Sequence, residues 1–463
     1  MWITLPDIPR IYDNCGELST LSTVFALCYV DILKRFVVKG ADGQRLGIVD
    51  YLQEKKDLRR IFFLRGKRVW ERKDMKFIHL ADLHIGKSVK DFSMIEDQKY
   101  ILAQVLAVVE QEGIDAVLVS GDVYDRTVPS EEAVRVFDEF LFRLSELSAK
   151  VLLISGNHDS DERLNFGSRL FAAKGVYFCT KYDGSLCRQT LEDEFGPVHF
   201  YLLPFVKASQ VRHVCPEEKI ESYDQAVRVA IAKGKVDPRE RNVILAHQFV
   251  AGKSGEVLLG GSESPAVASV GLVERIGCDC FDDFDYAALG HIHKAQSIGR
   301  EEVRYAGTPL KYHVDEVGDE KSMPIVTMGK KGDVQIELRP FRPLRDMRSL
   351  KGRLKQLLAA ENVRKPEDYI FVTLTDEDII SDAMSIFRQV YPNTLQIRYD
   401  NAHTRGIELA DPSKIAEMRS FPELMSDFYR QMYQQEISAE EMRLMERIAR
   451  EAGILDETDE TDH

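Results

Sequence analysis

A chain of 463 residues, 44% of them hydrophobic, can bury more than one core and predicts two or three domains. Its net charge of −14 argues against a free-standing nucleic-acid binder with a broad basic field, but not against a nuclease that takes positive charge locally from metals or a partner. No apolar run is long enough to cross a bilayer, no basic-then-apolar leader opens the chain, and the seven cysteines are scattered, so the expectation is a cytoplasmic protein with reduced thiols and no membrane partner.

Residues 1–74 carry fourteen Lys/Arg against ten Asp/Glu, a net +4 that leaves −18 on the remainder. They hold no recognisable chemistry, and Met75 directly precedes the first strand-like run. They are read as an N-terminal extension of unknown role, an over-called start with Met75 as the biological one; a genuine accessory segment is the alternative. From Met75 onward, short β-rich runs at 77–81, 116–120, 151–155, 243–246 and 286–289 alternate with helical patterns. Ser93 and Glu96 predict a capping box that opens a helix running to Glu112, with Gly113 as its stop. A second amphipathic helix is expected over 130–149. Such alternation predicts an α/β sheet with helices on its faces. The glycine-rich stretch 252–264 reads as an exposed loop.

Composition shifts near Pro340 and Pro343. Beyond them the pattern predicts a helix at 350–360, a strand at 369–374, a helix at 380–390 and a strand at 394–399, together a small α+β unit. Two helices follow. The first starts near Ser420 and aligns Phe421, Leu424, Met425, Phe428 and Met432 on one face. The second has a Ser438/Glu441 capping box and aligns Met442, Met445, Ile448 and Ala452. Residues 456–463 form an acidic tail.

Five motifs close the five β-rich runs: Asp82-Leu83-His84, Gly121-Asp122, Gly156-Asn157-His158-Asp159, Ala246-His247-Gln248 and Gly290-His291-Ile292-His293. Asp82 and His84 are two apart and share a face of an extended end. A carboxylate beside an imidazole suits a borderline cation such as Mn²⁺. Asp122 offers a carboxylate able to bridge two cations roughly 4 Å apart. Asn157 adds a neutral oxygen, which limits the charge of the site. His247, His291 and His293 complete the set. Any one of these histidines, taken alone, reads as a satisfied core or surface residue. All five motifs together, at strand ends where α/β sheets form their ligand crevice, point to a two-metal centre, a device for cleaving phosphate esters. Gly-Lys-Ser triplets at 86–88 and 252–254 are not P-loops, because Ala81 and His247 stand where the required glycine would be.

In this order the motifs resemble the calcineurin-like metallophosphoesterases. The strings 79–84 (HLADLH), 119–125 (VSGDVYD), 154–159 (ISGNHD), 286–293 (YAALGHIH) and 305–310 (YAGTPL) further resemble, within that superfamily, the bacterial SbcD family of nuclease subunits. The similarity spans about 75–455. It implies a metallophosphoesterase β-sandwich flanked by helices over 75–343, a small α+β capping domain over 344–408 and a C-terminal helical hairpin over 409–455. The resemblance implies two divalent metal ions, Mn²⁺ by expectation. One would be held by Asp82, His84 and His293, the other by Asn157, His247 and His291, with Asp122 between them and an activated water attacking phosphorus in line. His158 would protonate the leaving oxygen or stabilise the transition state, with Asp159 orienting its ring. Implied partners are DNA ends and hairpins and an SbcC-type coiled-coil ATPase docked on 409–455, in a heterotetramer built on a homodimer. The implied activities are double-strand 3′–5′ exonuclease and single-strand endonuclease in DNA repair, recombination and replication. A small-molecule or protein phosphatase of the same fold, and a non-catalytic scaffold for DNA ends or the partner, are the alternatives. One departure is Asp125, where archaeal and eukaryotic relatives often have a histidine. Asp125-Arg126 also resembles protein phosphatases, but Thr127 replaces the glycine that follows there.

Overall fold

Runs of aliphatic and β-branched residues with no polar face can only form strands covered on both sides. That rule organises the computed structural model, which describes residues 37–39, 45–47, 74–252, 257–259, 275–401, 421–422, 425–426, 429–430 and 436–451. The chain divides into Met1–Glu71 and Arg72–His463. In the first unit the described residues form an antiparallel pair, Val37–Lys39 with Arg45–Gly47.

In the second unit, strands β1 (Met75–Leu80), β2 (Ala116–Ser120), β3 (Lys150–Ile154) and β4 (Val176–Cys179) run parallel, with helices α1 (Ile95–Glu112) and α2 (Glu131–Glu146) in the first two crossovers. A second sheet follows: β5 (Cys187–Asp193) lies antiparallel to β6 (Gly196–Leu203). Beside β6, β7 (Arg241–His247), β8 (Tyr286–Gly290) and β10 (Arg300–Tyr305) run parallel, and β9 (Gln296–Ile298) forms the far edge. Helix α3 (Tyr223–Lys233) precedes β7. The chain then returns to the first sheet with β11 (Ser322–Met328) and β12 (Val334–Pro340). The orders are β12-β11-β1-β2-β3-β4 and β9-β10-β8-β7-β6-β5. Inner-face residues of both sheets, Phe77, Leu118, Leu152, Phe200, Leu245 and Tyr286 among them, form one core between them. Phe77 meets Phe200 and Tyr286 edge-on at 5.7 and 5.6 Å, a favourable aromatic geometry. Outer faces pack on helices, the first sheet on α1 and α2, the second on α3. Residues 75–340 thus form a helix-flanked β-sandwich, the fold class expected for the region 75–343.

Local departures are instructive. Helix α1 begins one residue later than the Ser93/Glu96 capping box predicts, with Met94 at the cap and no side-chain cap bond. It stops at Gly113 in the left-handed conformation, as expected. Residues 350–360 do not form the expected helix. Instead β13 (Met347–Gly352) pairs in parallel with β14 (Tyr369–Leu374), and only Leu354–Leu357 is helical. The i, i+4, i+7, i+8 spacing of Leu350, Leu354, Leu357 and Leu358 imitates a helix, but over Met347–Gly352 the burial pattern alternates as a strand's does. Helix α4 (Ala383–Val390) and β15 (Thr394–Tyr399) complete a three-stranded parallel unit cored by Ile370, Val372, Leu374, Phe387 and Tyr391. Helix α5 (Ala439–Glu451) carries the expected reciprocal capping box, Ser438 Oγ accepting from the Glu441 amide and Glu441 accepting from the Ser438 amide. Most of the extension 1–74, most of the 252–264 loop, Leu424, Phe428, Met432, Ala452 and the tail lie outside the described residues. Among the described residues no helix is long and apolar enough to cross a membrane.

Candidate metal centre

Parallel strands in both sheets deliver their carboxyl ends to one edge of the sandwich. After β1 the chain does not turn away: the amides of Asp82, His84 and Ile85 donate to the carbonyls of Gly121, Asp122 and Val123 at 3.1, 3.0 and 2.8 Å. Asp82, His84, Asp122 and His291 all have positive φ, at 52°, 45°, 50° and 104°. Each costs of order 1 kcal/mol for a residue with a Cβ, and such strain collects at functional sites. Two glycines allow the close approach. A Cβ on Gly156 would stand 2.1 Å from Asp122 Oδ1, and one on Gly290 would stand 2.0 Å from the Ser120 carbonyl.

Six of the seven expected donors are deeply buried and converge, and Asn157 joins them. Asp82, His84 and His293 bring ligand atoms within 4.8 Å of one another, as do Asp82, Asp122 and His247. Asn157 Oδ1 lies 3.0 Å from His247 Nε2 and 2.9 Å from His291 Nδ1. Asp122 Oδ2 sits between the two groups, 3.7 Å from His84 Nε2 and 3.4 Å from His247 Nε2. His247 Nδ1 meets the Ser120 carbonyl at 2.8 Å, which assigns its proton there and leaves Nε2 for the site.

Burial strips the imidazoles of water and lowers His84, His293 and His291, the last to about 3, aided by the neighbouring His247. Burial opposes charge on His247 as well, yet the carboxylates of Asp122 and Asp82 outweigh it and raise that residue to about 9. Asp122, despite its burial, is held well below the ordinary carboxylate range by His247, His84 and His158. The set fits a pair of divalent cations. His84 Nε2 and His293 Nε2 face each other at 3.1 Å with at most one proton between them, and His291 Nε2 is buried without a hydrogen-bond partner. Imidazoles, three of them held neutral by burial, with two carboxylates and an amide oxygen are the donors such ions take.

His158 stands beside this set, its ring edge-on to His84 at 4.9 Å. The expected contact from Asp159 to that ring is not what holds it. His158 Nδ1 meets the backbone carbonyl of Asp125 at 3.0 Å. Asp159 instead accepts from the amides of Val123, Tyr124 and Gly156 at 3.1, 3.0 and 2.9 Å, tying the loops after β2 and β3 together. Its backbone turns the carboxylate inward, and those amides occupy it. Burial and the Asp122 charge raise Asp159 to about 6, against the pull of those amides.

Sequence reasoning missed the supports. Gln98 donates to the His84 carbonyl at 2.8 Å, and buried Lys321 meets Glu316 at 2.6 Å and the His293 carbonyl at 3.2 Å. Asp125, noted only as a departure, places Oδ1 3.5 Å from His84 Nδ1 and 2.7 Å from Lys87 Nζ. The available signal was weak: a polar side chain, Gln98, on the apolar stripe of a helix.

The family of calcineurin-like phosphoesterases matches residues 75–295, and the type 5 capsule protein repressor C-terminal domain matches 343–433. A Staphylococcus epidermidis protein, named as the SbcD component of the SbcCD nuclease, is 30% identical over 373 residues, covering 79% of this chain and 95% of that protein. A dimetal phosphatase from Danio rerio overlaps 57% of this chain and 96% of its own at 12% identity with a TM-score of 0.32. An archaeal phosphodiesterase overlaps 57% and 99% at 10% identity with a TM-score of 0.25.

Proposed function

Since the chain belongs to the SbcD family of nuclease subunits, we propose that it is a metal-dependent DNA phosphodiesterase that works with an SbcC-type ATPase in processing DNA ends for repair and recombination. The observation that carries the reading is the convergence of donors from both sheets on one edge, with His158 beside them. Asp82, His84 and His293 would hold one cation and Asn157, His247 and His291 the other, with the Asp122 carboxylate between. Bound there, two cations supply Lewis-acid stabilisation of the phosphoryl oxygens and lower the pKa of water. Mn²⁺ suits this mixture of imidazole and carboxylate.

The chain's own groups do the rest. The Ser120 carbonyl fixes the His247 tautomer, and the Asp82 carboxylate accepts the His291 amide at 2.9 Å, so each ligand is oriented before a cation arrives. His158, with Nδ1 on the Asp125 carbonyl, keeps Nε2 to exchange a proton with the leaving oxygen. The residues following Pro343 act in this reading as a cap, and 409–455 as the seat for the ATPase coiled coil.

A nuclease assay of the full chain with Mn²⁺ on linear and hairpin DNA, with and without an SbcC-type ATPase and ATP, tests the proposal. His158→Ala should lose about 10²–10⁴-fold in cleavage while still binding metal. Undiminished cleavage by that variant sinks the mechanism, and turnover of a nitrophenyl monoester without DNA cleavage points to a phosphatase instead.

A further inference from the structure

Two adjacent pairs of side chains lie between the metal-ligand loop and the three-stranded unit. In each pair one residue serves the loop and the other serves the unit.

The first pair is in the opening turn of α1. Gln98 is buried, and its amide group is used on both sides: Nε2 donates to the His84 carbonyl at 2.8 Å and to the Tyr312 hydroxyl at 2.9 Å, while Oε1 accepts from the Gly86 amide at 2.9 Å. Its neighbour Asp97, fully buried, takes the Arg345 guanidinium on both carboxylate oxygens and accepts from the Tyr369 hydroxyl at 2.9 Å. The second pair follows β10. The Tyr312 hydroxyl donates to the Leu83 carbonyl at 3.0 Å. Its neighbour Lys311 holds the Asp346 carboxylate at 2.9 Å. Arg345 and Asp346 lead into β13, and Tyr369 opens β14.

The loop so held is strained. His84 has φ 45°, costly for a residue with a Cβ, and the loop's conformation is kept by these bonds and by the ladder to the loop after β2. The joint itself is not packed solid. A cavity of about 270 Å³ opens there, lined by Met94, Phe341, Arg345, Asp346 and Tyr369 among others.

We propose that Gln98 and Tyr312 are positioning residues for His84, and that the seating of the three-stranded unit reaches the Asp82/His84/His293 group through Asp97 and Lys311. The inference rests on the metal-centre reading above. Unseating the unit pulls on α1 and on the Lys311–Tyr312 segment, relaxes the 83–86 backbone and misplaces the His84 ring. A cation held by Asp82, His84 and His293 feels that displacement, whereas one held by Asn157, His247 and His291 does not.

The experiment is a calorimetric titration of the metal-free full-length protein with Mn²⁺, without DNA. Arg345→Met removes the fork but keeps the apolar stem. It should weaken one of two Mn²⁺ affinities about tenfold, the usual effect of losing a group that supports a ligand, and leave the other within about twofold. Gln98→Met should match it from the other end of the relay. Tyr369→Phe, which deletes one hydroxyl, should give a smaller loss of about threefold and covers the case in which Arg345→Met does not fold. Arg345→Lys should restore part of the affinity. Variants with lower melting temperatures but unchanged affinities for both ions overturn the relay, since a purely structural latch predicts that result. Wild-type protein that binds no Mn²⁺ overturns the metal centre, and the relay with it.

Discussion

The two sheets of the sandwich contribute unlike chemistry to one site. The first supplies every oxygen donor, Asp82 and Asp122 from strained loops after β1 and β2 and Asn157 from the loop after β3, together with His84 and the candidate acid His158. The second supplies imidazoles, His247 from the end of β7 and His291 and His293 just after β8. The first sheet therefore sets the charge of the site and the second completes its coordination; neither can hold a cation well without the other. The sheets are fastened at two ends. Near the site, Ser120 Oγ donates to the Ala288 carbonyl at 2.9 Å and the His291 amide reaches Asp82. At the far end Arg241 of the second sheet grips Asp193 in its own sheet and also donates to the Gly329 carbonyl, in the turn between β11 and β12 of the first, at 2.9 Å.

Removing the shared oxygen donor should have the largest effect. Asp122→Ala should abolish tight binding of both ions and lower the DNA cleavage rate by at least about a thousandfold, the scale of several kcal/mol that metal ions contribute. His293→Ala, an imidazole from the second sheet, should strip only one ion. Calorimetric stoichiometry alongside cleavage rates separates them, and two Mn²⁺ retained by Asp122→Ala breaks the division of labour.

Next comes the far clamp. Asp193→Ala leaves the Arg241 guanidinium buried and unpaired, and the loss should be about 3–5 kcal/mol in urea denaturation. In protein that remains folded, Mn²⁺ affinity should be unchanged, because the site is fastened locally. A parallel loss of Mn²⁺ affinity would show that the sheets shift as rigid bodies.

The smallest effect concerns the outside of the first sheet. Glu112 meets Lys76 of β1 and Arg339 of β12 at 2.6 Å each. Burial works against its charge, but the two cations prevail and hold it below its ordinary value of 4.5. A folded-state value below the unfolded one gives stability that is present above pH 4.5 and disappears as pH falls through the lowered value. Glu112→Gln should cost about 0.5 kcal/mol at neutral pH, as partly exposed pairs do, with the gap to wild type closing in acid. A gap that persists at low pH would mean the residue acts by packing.

Much of the site was legible because its five motifs end continuous apolar runs, and such runs become strands whatever surrounds them. The runs at 77–81, 116–120, 151–155, 243–246 and 286–289 all form strands, within a residue or two of their expected ends. What was not legible depends on backbone direction rather than residue type. Asp159 next to His158 suggests a carboxylate–imidazole pair, but a tight turn sends the carboxylate to three amides instead. Gln98 gave only a weak signal and Tyr312 none, because their partners are brought near only by tertiary folding. Residues 350–360 misled because apolar residues three apart suit a helix until a neighbouring strand offers them a ladder.

The bond from the His291 amide to Asp82 spans 209 residues of sequence. During synthesis β1 to β4 and the carboxylates at their ends emerge long before β8 exists, so Phe77, Leu118 and Leu152 await partners on a half-built molecule. Closure is therefore a late event with high contact order, and slow for that reason. A chain interrupted before His291 would lack the second sheet's histidines after β8, which makes the arrival of that strand the step that switches on a potentially damaging activity.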